Sequence, residues 1–213
     1  HLDTDTYENQ ETVYFERNGF MLDCSRNAVF TVEKVKSVIR TLAKMGMNVL
    51  MLYTEDTYEV PGEPYFGSYR GRYTKAEIQE MDAYASMFGI ELVPCIQTLA
   101  HLHNVLKWPG KNEIKDSTDV LIVGKEETYV FIEKLLQSVK DSFTTRRVHL
   151  GMDEAVLLGL GKYLRENGYE KGSVLVREHC KRVLAICKKL GLEPMIWSDM
   201  YITANTNGGY YEV

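Results

Sequence analysis

The chain has 213 residues, 45% of them hydrophobic, and a formal charge of −5 at pH 7, which suits one sizeable core in an ordinary globular protein. Its acidic balance, with no basic run longer than pairs such as Arg146–Arg147 and Lys188–Lys189, argues against a nucleic-acid partner, whose phosphates demand a positive surface. No stretch approaches the roughly 18 apolar residues of a membrane span. The polar start HLDTDTYENQE lacks the basic-then-apolar order of a secretion signal. The expectation is therefore a cytoplasmic protein with no membrane partner, an extracellular one staying open if a leader has been removed.

In chain order, residues 1–18 read as an extension or linker, and a first apolar strand over 19–24 is followed by Arg26 and Asn27. Thr31 then opens a helix over 31–45, with Val32, Val35, Val38, Ile39, Leu42 and Met45 at helical spacing. Strand 47–53 runs into Glu55, Asp56 and a loop, 57–73, rich in Tyr, Gly and Pro, the composition of an ordered binding loop. Its aromatic residues suit packing over the mouth of the fold and stacking on a sugar equally well. Thr74 and Glu77 make a capping box for a helix over 74–88. Strand 90–96 leads to His101 and His103 and to a second long loop, 104–125, containing Trp108. A helix over 127–143 precedes strand 147–152, which ends at Asp153 and Glu154. A helix opening at Ser173 and running to 190 precedes strand 193–198, which carries Trp197 and stops before Asp199.

Three of the helix-to-strand passages, KMGMNVLML (44–52), MFGIELVPC (87–95) and KLGLEPMIW (189–197), share one form. Each leaves an amphipathic helix through a glycine and enters a short apolar run, as a helix with a C′ glycine does before a buried parallel strand. Such a βα series makes an open doubly wound sheet or a (β/α)8 barrel. The first strand opens no glycine-rich phosphate loop, and every strand presents its polar residues at its C-terminal end, where barrels build their sites. The fold class expected is α/β, a partial (β/α)8 TIM barrel of about five parallel strands. Eight units need about 250 residues, so residues 19–213 are expected to be the N-terminal part of a catalytic barrel. Its open sheet edges would then be covered by a second copy of the chain or by the missing segment. The four cysteines, Cys24, Cys95, Cys180 and Cys187, lack metal-site spacing and sit in apolar segments, so buried free thiols are expected. No HExxH-like set appears, and neither a metal nor another cofactor is expected.

Adjacent side chains on an extended segment point to opposite sides. On that reading Asp153 and Glu154 are not the facing carboxylates of an ordinary glycosidase, which stand about 5 Å apart for retention or about 6.5–9.5 Å for inversion. Crowding in a partly buried site should raise the pKa of at least one of them, leaving a proton donor near neutral pH. By the same alternation, Asp199 falls on the face of Trp197 if the strand continues.

The strand-end motifs LDCSRN (22–27), QTLAH (97–101), HLGMDEA (149–155) and MIWSD (195–199), in this order, resemble those of glycoside hydrolase family 20, the β-N-acetylhexosaminidases, over residues 19–202. The resemblance implies exo-acting hydrolysis of terminal β-linked N-acetylglucosamine or N-acetylgalactosamine from a glycan. In that scheme the 2-acetamido oxygen of the sugar is the nucleophile and an oxazolinium ion the intermediate. It implies that Glu154 is the general acid and base, and that Asp153 holds the acetamido N–H. It further implies that Arg26 binds sugar hydroxyls, that Trp197 walls the pocket, and that His101 stands near the acid. Asp56 and Asp199 are expected to join the substrate-binding set. Two departures stand out: strand NVLMLYTED keeps Asp56 but lacks the histidine and tryptophan common there, and the later tyrosine and tryptophans of the family lie beyond this sequence. The competing reading is a non-catalytic carbohydrate-binding or scaffold protein on a partial barrel.

Overall fold

The computed structural model describes residues 14–203; residues 1–13, most of the expected extension, and residues 204–213 lie outside it. The elements in order are β1 (Gly19–Asp23), α1 (Val32–Lys44), β2 (Val49–Glu55), α2 (Lys75–Ser86), β3 (Glu91–Ile96) and α3 (His103–Leu106). They continue with α4 (Glu126–Ser142), β4 (Arg147–His149), α5 (Lys162–Asn167), α6 (Gly172–Leu190), β5 (Glu193–Met195) and α7 (Asp199–Thr203). The five strands pair in parallel in the order β1-β2-β3-β4-β5. Sequential parallel neighbours joined through helices form the wall of a (β/α)8 barrel. The wall is open among the described residues, because β1 and β5 each have one strand neighbour.

The three helix-to-strand passages close in the same way. The residue after the glycine donates its N–H to a carbonyl five positions back: Met47 to Leu42 (3.0 Å), Ile90 to Ala85 (3.1 Å) and Leu192 to Cys187 (2.9 Å). The glycine between takes a left-handed φ, +70° at Gly46 and +73° at Gly191, which costs little without a Cβ. The capping box at α2 forms in both directions between Thr74 and Glu77. Ser173 caps nothing: α6 starts one residue earlier, behind Lys171, with no side-chain cap.

The core sits where helices cover the central strands. Leu50, Leu52, Leu92, Ile96, Val148 and Leu150 meet Ile39, Leu135 and Val183 there, all at or near zero exposure. The outer strands lack a second cover, so Phe20 on β1 is 48% exposed and most of β5 is open. All four cysteines are free and buried. The aromatic residues of the 57–73 loop divide: Tyr58, Phe66 and Tyr73 enter the core, whereas exposed Tyr65 stacks on Trp108 with ring centres 4.8 Å apart. Buried Glu63 accepts from Lys111 and from Lys134 (2.9 Å), tying both long loops to α4.

Two strands are shorter than the sequence pattern implies. β4 stops at His149, and just beyond it Gly151 and Met152 take φ of +71° and +68°, which turns the chain out of the extended ladder. β5 stops at Met195, and Asp199 opens α7. The alternation argument for Asp199 therefore fails, and its position is set by a turn. Replacing Thr74 by Ala removes the acceptor for the Glu77 N–H and is expected to lower the unfolding free energy by about 1 kcal/mol. This would appear as a lower urea midpoint with an unchanged slope.

Candidate active site

All five strand ends open on one side of the sheet, so side chains far apart in sequence converge there. Gln97, directly after β3, is fully buried. Its amide nitrogen donates to the Tyr53 hydroxyl (3.2 Å) and to Asp153 Oδ1 (2.9 Å). Tyr53 donates to Glu55 Oε1 (3.0 Å), and Ser25 donates to Glu55 Oε2 (2.6 Å). Arg70 donates through Nη2 to the Ser25 hydroxyl (2.6 Å) and through Nε to Asp56 Oδ1 (2.9 Å). A continuous hydrogen-bonded line thus joins the ends of β1, β2, β3 and β4.

His101 Nε2 stands 3.3 Å from Asp153 Oδ2 and 3.5 Å from Glu154 Oε2. The two acids meet one imidazole because the segment is not extended: Met152 and Glu154 both have positive φ. They differ in exposure, the Asp153 side chain at 19% and that of Glu154 at 72%. Burial pushes the Asp153 carboxyl up, but pairing with His101 and the Gln97 hydrogen bond outweigh it and hold Asp153 below the usual range. The crowding argument predicted a raised carboxyl; at Asp153 these two neighbours reverse the sign. The same pairing with Asp153 raises His101 against the opposing effect of its burial. Asp199 Oδ2 accepts the Glu154 backbone N–H (2.9 Å), anchoring that left-handed residue to the start of α7.

An open cleft of about 420 Å³ lies in front, lined by Asp153, Glu154, Val156, Trp197, Ser198, Asp199 and Met200. Trp197, 39% exposed, sets its ring 4.6 Å from that of His149. Of the expected residues, then, Asp153, Glu154 and His101 come together, and Trp197 and Asp199 share their cleft. Arg26 pairs with Asp23 (2.7 Å), keeps 63% of its side chain exposed and lies 4.8 Å over the Tyr53 ring, at the margin of the Gln97 line. Asp56 does not reach the cleft: it is buried against Arg70, and burial raises its carboxyl while Arg70 opposes the rise.

His103 is exposed, and His149 and His179 are buried. His149 Nδ1 accepts the Gly151 N–H (3.1 Å). His179, pushed by burial to about 4, is neutral near pH 7 and its Nε2 meets the Thr98 carbonyl (2.8 Å). His101, Asp153 and Glu154 also offer ligand atoms within 4.8 Å of one another. As a cation site they would supply three donors, one of them largely exposed, where a closed structural zinc site has four.

Sequence reasoning missed Gln97, Tyr53, Glu55, Ser25 and Arg70 as site residues. A signal existed for Gln97, since an amide inside an apolar run must find partners. Nothing in the sequence tells which carboxylate Arg70 meets.

The class that fold and site define is that of (β/α)8 barrel proteins, here an incomplete wall with an acid pair just past the end of its fourth strand. The model of the glycosyl hydrolase family 20 catalytic domain matches residues 15–210, and the chain belongs to that family. Human hexosaminidase D is 23% identical over 179 residues, which cover 79% of this chain and 37% of the relative. The N-acetyl-β-hexosaminidase of Streptomyces plicatus, solved in complex with Thio-NAglucal, is 25% identical with a TM-score of 0.72, covering 86% of this chain and 39% of its own. The exo β-N-acetylglucosaminidase of Vibrio harveyi, solved in complex with N-acetylglucosamine, shares the fold at 22% identity and a TM-score of 0.76, covering 92% and 37%. The chain spans well under half the length of these relatives.

The His101–Asp153 pair has a defined pH window. Asp153, being lowered, contributes stability that is present above its unfolded value near 3.9 and lost as pH falls through its folded value. His101, being raised, contributes stability that is present below about 6.5 and lost as pH rises through its folded value. In an NMR titration the His101 ring should change charge above the ordinary histidine range, and Asp153→Asn should bring it back towards about 6.5. An unchanged midpoint in that variant would show that Asp153 is not the cause.

Proposed function

We propose that this chain forms the N-terminal part of the catalytic domain of an exo-acting β-N-acetylhexosaminidase. Its substrate would be a glycan ending in β-linked N-acetylglucosamine or N-acetylgalactosamine. The observation that supports this best is the division between the two acids: a half-buried, anchored Asp153 and an exposed Glu154 beside one cleft, with His101 between them. Neighbouring acids can serve one sugar if they act on different atoms.

In this reading Asp153, held ionised, accepts the acetamido N–H and turns the acetamido oxygen towards the anomeric carbon. It also stabilises the positive charge that grows on that group. The acetamido oxygen forms a bond to the anomeric carbon as the glycosidic C–O bond breaks, and Glu154 gives its proton to the leaving oxygen. Water then adds to the anomeric carbon of the oxazolinium ion while Glu154 takes its proton, which restores both the acetamido group and the acid. The protein supplies no nucleophile, the exception recognised beside the two-carboxylate schemes. Trp197 offers a ring face to the sugar, and Arg26, exposed at the margin, is available for hydroxyls. The buried Asp56 serves through Arg70, ordering the loop around the site. The open edges at β1 and β5 are the surfaces that the rest of a barrel, or a second copy, would cover.

The test is turnover of a chromogenic β-N-acetylglucosaminide by the full-length protein. Glu154→Gln should reduce kcat by about 10²–10⁴ and Asp153→Asn by about 10²–10³, each with a parent-like melting curve. Parent rates in both variants would exclude the mechanism.

A further inference from the structure

We infer that Gln97 is the positioning residue of the acid pair, its amide holding Asp153 in place as an ionised acceptor through a hydrogen bond that neither a carboxylate nor an apolar side chain could supply. This rests on the hexosaminidase reading of Asp153.

The direction of the hydrogen-bonded line requires an amide here. The Ser25 and Tyr53 hydroxyls both give their protons to Glu55, so the Tyr53 oxygen is left to accept. Asp153 Oδ1, on a carboxyl held below its usual range, also accepts. Between these two acceptors the chain places one NH2 group with two protons, and Gln97 Nε2 uses one on each. Turned over, the amide would set its carbonyl oxygen against Asp153. The seat is tight: a Cβ on Gly151 would lie 2.1 Å from Gln97 Oε1 and 2.8 Å from the Ile96 carbonyl. The glycine preceding the acid pair is therefore what lets β4 approach this amide. Gln97 gives Oδ1 its hydrogen bond, and His101 Nε2 approaches Oδ2 to 3.3 Å, so the Asp153 carboxylate is bracketed from two sides.

The groups around Asp153 that can carry charge are Tyr53 and Glu55 from β2, Cys95 and His101 from β3 and its loop, His149 and Glu154 from the β4 segment, and Asp199 of α7 in the same cleft. Burial keeps Tyr53 and Cys95 protonated and His149 neutral near pH 7. A carboxylate at position 97 would thus add a like charge directly against Asp153. In the full-length protein, Gln97→Glu is expected to move the acidic limb of the kcat/KM profile up by about one pH unit or more. The Asp153 carboxyl-carbon NMR titration should move with it. Gln97→Met, which keeps the length and loses the donor, is expected to lower kcat about 10-fold or more while KM stays within about 3-fold, the pattern of an interaction realised in the transition state. A filler of this length that affects folding alone would leave the pH profile and the Asp153 titration in place.

Parent-like values of both for Gln97→Glu, or parent kcat for Gln97→Met, would overturn the inference. Asp153→Asn separates it from the reading beneath. If that variant is slow and the Gln97 variants are not, only the role of Gln97 falls. If Asp153→Asn turns over at the parent rate, the hexosaminidase reading falls, and the Asp153 titration still decides whether Gln97 holds that carboxylate ionised.

Discussion

The site depends on keeping one largely buried carboxylate charged. Asp153 would be pushed towards neutrality by its burial, and the Gln97 hydrogen bond with the His101 pair reverses that. Such an anion is tolerated only when its lone pairs are satisfied. Much of the surrounding detail serves that end: Gln97 has both protons engaged, Tyr53 is turned to accept one of them, and Gly151 yields the space in which the amide sits. Glu154, one residue on, touches the same imidazole but is largely exposed and faces the cleft.

Backbone strain gathers at the same place. Five non-glycine residues in the described chain have positive φ, and Glu55, His101, Met152 and Glu154 belong to the site or its underlying line. Left-handed backbone is costly for such residues and persists where neighbours over-determine it. Here Asp199 holds the Glu154 N–H, and the Asp153–His101 contact ties together two of the loops involved. This bending is also what lets two consecutive acids share an imidazole, which an extended strand forbids.

The sheet is strongest in its middle and open at its sides. β2 and β3 are covered on both faces, whereas β1 and β5 leave Phe20 and most of the fifth strand in contact with solvent. The segment after the acid pair adds exposed Val156, which lines the cleft, and exposed Leu157 and Leu160. Apolar surface of this kind next to an open edge is what an adjoining barrel strand and its loop would bury.

The alternation of helix and strand could be read from sequence because it rests on local rules. Apolar spacing, the Thr74–Glu77 box and the three glycine exits locate the four long helices and the strand starts within a residue or two, while the short helices α3, α5 and α7 carry no such signal. The strand-end positions of Asp153, Glu154, His101 and Trp197 follow from the same reading, because a parallel βα series sends every strand's C-terminal end to one side. Partnership could not be read. Gln97 meets Asp153 across 56 positions and Arg70 meets Asp56 across 14, contacts fixed by sheet order and loop path. Where the two strands stop was equally hidden, since positive φ at Gly151 and Met152 ended a pattern whose apolar residues continued. The sequence determined by itself the order of helices and strands and that the acid pair follows a strand end, because periodicity is a property of neighbours in the chain. Only the tertiary structure decided which of them are charged, paired or free to act, because hydrogen bonds and burial join neighbours in space.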